Sequence, residues 1–199
     1  MNKSKLSVAS YALAFAAAAF AYADASQPVL SADSEVAATP DTVARGKYLV
    51  TIAGCNDCHT PLKMGENGPE PDFSRMLSGH PESVVVKTAA RVPEEPWLVS
   101  TTATSTAWSG PWGVSFTANL TPDAETGLGR WTFRNFKDTI RTGRHMGRGR
   151  AIMPPMPIPM YKHMTDQDLE AVFSYLRTIP AIKNRVPEPL PPQVAANQR

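Results

Sequence analysis

With 199 residues, 20 Lys and Arg against 18 Asp and Glu, the chain has length for one decorated domain and little net charge. That balance removes the electrostatic basis for bulk attraction to nucleic acid or anionic lipid. Its 19 prolines predict long extended connections, and its 2 cysteines are too few for a disulfide-stapled scaffold.

The first segment reads as a secretory signal peptide over residues 1–23. Lys3 and Lys5 precede an apolar run, and Ala21-Tyr22-Ala23 offers a small-x-small cleavage site. Cleavage after Ala23 or after Ala25 fits the pattern. The run is Ala-rich and short for a spanning helix, so no membrane span is expected after cleavage. Losing Lys3 and Lys5 leaves 18 basic residues against 18 acidic ones, so electrostatic recognition must come from local patches. Residues 24–38 are small and polar and read as a flexible leader.

A domain is expected over residues 39–186. Thr39-Pro40-Asp41 reads as a helix start, with a hydroxyl cap, a proline in the first turn and an early acid. The helix continues toward Gly54 with Val43, Gly46, Val50 and Ala53 on one face. A mid-helix glycine costs about 1 kcal/mol against alanine, which points to a close helix crossing at Gly46. Residues 61–116 have no long helical period and form an irregular insertion. Short strands within it are expected at 84–86, 97–99 and 112–116. Residues 131–142 read as a helix stopped by Gly143, with Phe133, Phe136 and Ile140 inward and Arg134 and Arg141 outward. Residues 143–161, rich in glycine and then proline, read as a loop. Thr165 caps a helix over 166–179, carrying Leu169, Val172, Phe173 and Leu176 on one face and ended by Pro180. The proline-rich tail, 187–199, is expected to be extended. The fold class is therefore mainly α.

Cys55-Asn56-Asp57-Cys58-His59 carries the chemistry. Two thiols three positions apart can reach the two vinyl groups on one porphyrin edge, and the next residue can place an imidazole under the iron. The signature is thus that of one covalently attached haem c, with Cys55 and Cys58 in thioether bonds and His59 as proximal iron ligand. A thioredoxin-like motif would need a βαβ context, whereas a helix precedes these cysteines. A zinc site would need a second ligand pair, and His59, His80, His145 and His163 are scattered.

The sixth iron ligand decides the chemistry, because methionine closes the iron and raises its potential. Residues 152–161 offer Met153, Met156 and Met160. Prolines on both sides of Met156 stiffen its backbone, which favours it as the ligand, with Met153 as the alternative. The alternative is that these methionines merely pack, since Met fills irregular gaps; ligation is favoured over it, and His145 and His163 are outside candidates.

These residues resemble the class I cytochromes c. In particular the chain is similar to the haem domains of cytochrome subunits of periplasmic alcohol and aldehyde dehydrogenases, and to related single-haem proteins. The resemblance covers roughly residues 41–60 and 117–190. It rests on Arg45-Gly46-Lys47-Tyr48-Leu49 before the cysteine motif, then Asn119-Leu120-Thr121-Pro122-Asp123, Thr126-Gly127-Leu128-Gly129 and Trp131-Thr132. It continues through Arg141-Thr142-Gly143, Pro155-Met156-Pro157 with Tyr161, Asp168-Leu169 and Tyr175-Leu176. It implies the class I cytochrome c fold and Met156 as distal ligand. It also implies a crossing of first and last helices at Gly46 near Phe173 and Leu176, and Asn119 and Trp131 on the propionate side. Arg144 or Arg148 could neutralise a propionate, or be a solvated basic turn.

The expected function is a periplasmic one-electron carrier, or the electron-accepting subunit of a dehydrogenase. Its partners would be redox proteins: a dehydrogenase donor and an oxidase or cytochrome acceptor. The alternative is a peroxidase-like haem enzyme with an open or labile distal site beside His145 and Arg144. The stretch from Arg130 through Arg134, Arg141, Arg144 and Arg148 to Arg150 either steers an acidic partner or is an ordinary solvated face.

Overall fold

In the computed structural model, which describes residues 38–88 and 97–192, Thr39 caps the first helix. Its hydroxyl oxygen accepts from Thr42 N at 3.2 Å, and Pro40 occupies a first-turn position where no donor is needed. Helix α1 spans Pro40–Ile52 and buries Gly46, Leu49 and Val50. Gly54 then takes a left-handed conformation (φ 67), and the chain restarts at once as α2, Cys55–His59. The signal peptide (1–23), all but the last residue of the leader (24–38) and the tail beyond residue 192 lie outside the described residues.

The insertion holds more strand than its sequence suggests. Strands β1 (Leu62–Gly65) and β2 (Gly68–Pro71) form an antiparallel hairpin. Strands β3 (Ser100–Thr101), β4 (Ala107–Gly110) and β5 (Gly113–Phe116) form an antiparallel sheet in that order. Of the three expected strands, 112–116 corresponds to β5. Residues 84–86 and 97–99 are irregular, and pairing begins only at Ser100. The unforeseen strands are too short and too rich in Gly, Pro and Ser to show a period of two. The tail adds a rung: Val114 and Leu190 exchange backbone hydrogen bonds of 2.9 and 3.0 Å.

Helix α3 (Phe133–Thr142) begins with a capping box. Thr132 Oγ1 accepts from Asn135 N at 3.2 Å, and Asn135 Oδ1 accepts from Thr132 N at 3.1 Å. Phe136 and Ile140 are buried and Gly143 ends the helix in the left-handed region. The stretch 143–161 is not all loop. It contains a 3₁₀ turn at His145–Gly147 and the short helix α4, Ile158–Tyr161, whose Pro159 falls in a first turn that tolerates it. Helix α5 (Asp166–Leu176) is capped by Thr165 and stops short of residue 179. There Arg177 turns aside to donate to the carbonyls of Leu128 (3.2 Å) and Gly129 (2.6 Å).

Leu49 and Val50 of α1, Phe136 and Ile140 of α3, and Leu169, Val172 and Leu176 of α5 share one core with Leu77 and Leu128. Each such side chain contributes about 1.5–3 kcal/mol on burial. The exposed Arg45–Asp168 pair between α1 and α5, at 3.0 Å, contributes about 1 kcal/mol or less, so packing decides the helix contact. The crossing centres on Gly46, where an added Cβ would lie 1.8 Å from the carbonyl oxygen of Ala171 and 2.8 Å from Tyr175 Cβ. The neighbours are therefore Ala171 and Tyr175, rather than Phe173 and Leu176 as the resemblance implied.

After α5 the chain runs back as an extended strap pinned by one buried amide. Asn184 Nδ2 donates to Ser78 O (2.7 Å) and His80 O (2.9 Å), while its Oδ1 accepts from Arg75 (3.1 Å) and Glu82 N (3.0 Å). Beside it His80 is fully buried; its Nε2–H donates to Val84 O at 2.8 Å, and Nδ1 accepts from the Thr106 hydroxyl at 3.0 Å.

Two outcomes follow. Gly46→Ala gains helix propensity but must push α1 off α5, so chemical denaturation is expected to show a net loss of about 2 kcal/mol. Burial pushes the His80 imidazole below its usual value. The unfolded chain then takes up a proton near pH 6.5 that the folded chain resists, and stability falls as pH drops below that point. The fall in Tm from pH 7 to pH 5 should be shallower in His80→Gln than in the unaltered protein. Equal slopes would remove His80 from the account.

Candidate haem site

Between α1, α3, α5 and the strap lies a cavity of about 550 Å³, within the range of about 300–1,000 Å³ that encloses sizeable ligands. Cys55, Cys58 and His59 of α2 line one side. Met153, Met156 and Tyr161 line it from the loop before α5, and Leu49, Phe136 and Ile140 supply apolar wall.

His59 is buried, and its Nδ1–H donates to Ala118 O at 2.7 Å. That bond selects the tautomer whose lone pair is on Nε2, which has no hydrogen-bond partner among the described residues. Burial, opposed by the Ala118 bond, holds the imidazole below its usual pKa. A neutral ring with one nitrogen fixed by a carbonyl and the other free is the form a metal takes. The thiols are the reverse of activated. Burial pushes Cys55 up to about 11 and raises Cys58, with Asp57 adding to both. Such thiols are poor thiolate nucleophiles, which disfavours a dithiol oxidoreductase. Among the described residues no group of three or more His, Cys, Asp or Glu could hold a metal ion by itself. Two unpaired thiols, an imidazole with a free Nε2, thioethers on the same cavity and apolar walls fit haem c.

The three loop methionines part company. Met156 is half-buried and packs on the main core, Met153 is half-buried at the cavity, and Met160 is 72 % exposed. The loop is tied down on both sides of Met156. The Ser115 hydroxyl donates to Pro154 O, and the Tyr161 hydroxyl donates to Ala53 O just ahead of Cys55. Burial first, then the nearby cysteines and Asp57, pushes the Tyr161 phenol up to about 12, so it remains a donor.

Asn119 and Trp131 also line the cavity. The Asn119 amide is committed elsewhere: Nδ2 donates to Ile182 O (2.8 Å) and Thr126 Oγ1 (3.2 Å), and Oδ1 accepts from Thr121 N (3.0 Å) and Oγ1 (2.7 Å). It holds the 119–127 loop against the strap. Trp131 meets His145 edge-on, with ring centroids 5.2 Å apart. His145 borders the cavity, and burial lowers its pKa, helped by Arg150. His163 is exposed and His80 is outside the cavity. Arg150 and Arg185 border the cavity, whereas Arg144 and Arg148 do not. Asn184 and Arg185 escaped the sequence reading, because an asparagine and an arginine in a proline-rich stretch carry no local signal.

The chain matches the family model described as Cytochrome c over residues 43–180. It is 28% identical over 165 residues to the cytochrome c subunit of the quinone alcohol dehydrogenase of Gluconacetobacter polyoxogenes, covering 81% of this chain and 26% of that protein. It is 26% identical over 154 residues to the fructose dehydrogenase cytochrome subunit of Gluconobacter japonicus, covering 74% and 24%. It is 33% identical over 81 residues to a nicotinate dehydrogenase subunit of Pseudomonas putida, covering 41% and 7%. The chain thus spans about a quarter or less of the length of these relatives. With the family matched across α1, the cysteine motif, the methionine loop and α5, this chain belongs to the cytochrome c family, the class I c-type cytochromes that carry haem c and its iron for electron transfer.

Proposed function

We propose that the protein is a periplasmic mono-haem cytochrome acting as a one-electron carrier or as the electron-accepting partner of a dehydrogenase. The observation that carries this reading is one cavity lined by His59, whose Nδ1 is engaged by Ala118 O, and by Met156, Cys55 and Cys58. Cys55 and Cys58 would hold the porphyrin through thioether bonds, and His59 and Met156 would ligate its iron. Haem supplies an iron that cycles between two oxidation states and so carries one electron.

The protein's own groups do the rest. Ala118 O keeps the His59 ring oriented and its Nε2 unprotonated. Tyr161 and Ser115 hold the loop that presents Met156, and a rigid frame lets a weak thioether ligand persist. Leu49, Phe136 and Ile140 give the cavity an apolar wall, a setting that favours electron transfer over ligand exchange. The signal-like sequence over 1–23 supports the periplasm. The names of the relatives support a dehydrogenase as donor.

An optical spectrum of the loaded protein tests this. A weak absorption band near the red end in the oxidised state marks Fe–S(Met) bonding, and Met156→Ala is expected to abolish it, lower the reduction potential and admit carbon monoxide to the reduced form. Loss of the band in Met153→Ala instead would transfer the role to Met153. In C55A/C58A, haem should separate from the denatured chain on gel filtration. Intact-mass analysis of protein exported to the periplasm should show a chain beginning at Asp24 or Ser26 plus one haem; a mass that includes residues 1–23 would refute cleavage.

A further inference from the structure

Between α3 and the methionine loop the chain makes a closed excursion over residues 143–151. Ile152 N donates to Gly143 O at 2.8 Å and His145 N to Arg150 O at 2.9 Å, stitching its ends. Inside it, Gly149 N donates to His145 O at 2.8 Å, and the Thr142 hydroxyl to Gly147 O at 3.1 Å. Arg144 Nη1 donates to Gly149 O at 3.0 Å. At its tip Met146 sits at φ 50, a left-handed conformation that non-glycine residues rarely adopt. Met146 is nevertheless 38 % exposed. Strain of this kind collects at working surfaces.

Arg144 and Arg148 flank this tip, both exposed, and neither has a carboxylate partner among the described residues. In that they differ from Arg141, paired with Asp166 at 2.6 Å, and Arg150, paired with Glu188 at 3.1 Å. Asp138 of α3 is half-buried and packs behind Gly147. The loop is continuous with the cavity wall, because His145 meets Trp131 edge-on and both border the cavity.

We propose that residues 143–151 form the docking surface for a redox partner and accept a carboxylate-rich protein surface, a reading that rests on the electron-carrier function. On a chain with so little net charge, two uncompensated guanidiniums make a local positive pole that can orient an acidic partner. Guanidinium forks match carboxylates, and an exposed methionine adapts to varied apolar neighbours. One electron crosses in either direction at this contact, and no bond is made or broken.

The test uses the haem-loaded protein on gold bearing a carboxylate-terminated monolayer. A quartz microbalance weighs adsorption and voltammetry reads electron exchange. At low ionic strength, R144E/R148E is expected to adsorb about tenfold less than the unaltered protein. K47E/K87E, which makes the same change in net charge from α1 and the insertion, should lose far less. Arg148→Glu alone, which removes no hydrogen bond, should lose part of the same adsorption. Optical spectrum and solution potential should be unchanged in all three. Equal losses in the two double variants, or full adsorption by R144E/R148E, would overturn the proposal. Intact adsorption with no voltammetric wave would instead overturn the carrier reading.

Discussion

At Gly46 two backbones meet with no side chain between them, and both walls of the cavity hang on that contact. The Ala171 carbonyl fills the space a methyl group would need, so α1 and α5 are in direct backbone contact there. That closeness places Leu49 of α1 and Leu169, Val172 and Leu176 of α5 on the same cavity. It also aims the end of α1, and hence the Gly54 turn into α2, at the place where Cys55, Cys58 and His59 are wanted. The helix-propensity cost of the glycine is repaid by the burial on either side of it.

From this frame the opposite wall is built by long-range hydrogen bonds. Tyr161 reaches Ala53, and Ser115 of β5 reaches Pro154, so the methionine loop is held by both the cysteine end of the core and the insertion. Asn184 and Asn119, buried and fully engaged, tie the strap to the insertion and to the 119–127 loop. These amides work because each donor and acceptor has a partner; half-satisfied, they would destabilise the same site. The insertion over 61–116, unmatched by the family resemblance, is therefore a buttress. Its His80 and Ser78 carbonyls hold the strap, and its β5 holds the loop that carries Met156.

The division of the basic stretch shows how packing edits a sequence pattern. Six arginines from Arg130 to Arg150 look alike in the chain. Once folded, Arg141 and Arg150 are neutralised by Asp166 and Glu188, acids supplied from elsewhere in the chain. Arg130, Arg134, Arg144 and Arg148 have no carboxylate partner among the described residues, and of these only Arg144 and Arg148 belong to the 143–151 excursion.

What was legible from the sequence was local. Hydroxyl caps at Thr39, Thr132 and Thr165, the glycine stop at Gly143 and the three–four spacing of apolar residues mark α1, α3 and α5, because helical order depends on neighbours within a turn or two. The C-x-x-C-H pentapeptide is equally local, since one helical turn is all its chemistry requires. The strands of the insertion, the early end of α5, the identity of Ala171 and Tyr175 against Gly46 and the pinning of the strap were not legible. Each depends on a partner distant along the chain, and no periodicity encodes which distant group will arrive. The sequence by itself determined the family, the helices and the haem motif. Only the tertiary structure decided that Met156 and Met153 reach the cavity while Met160 stays at the surface, since burial is a property of the packed chain and not of the residue.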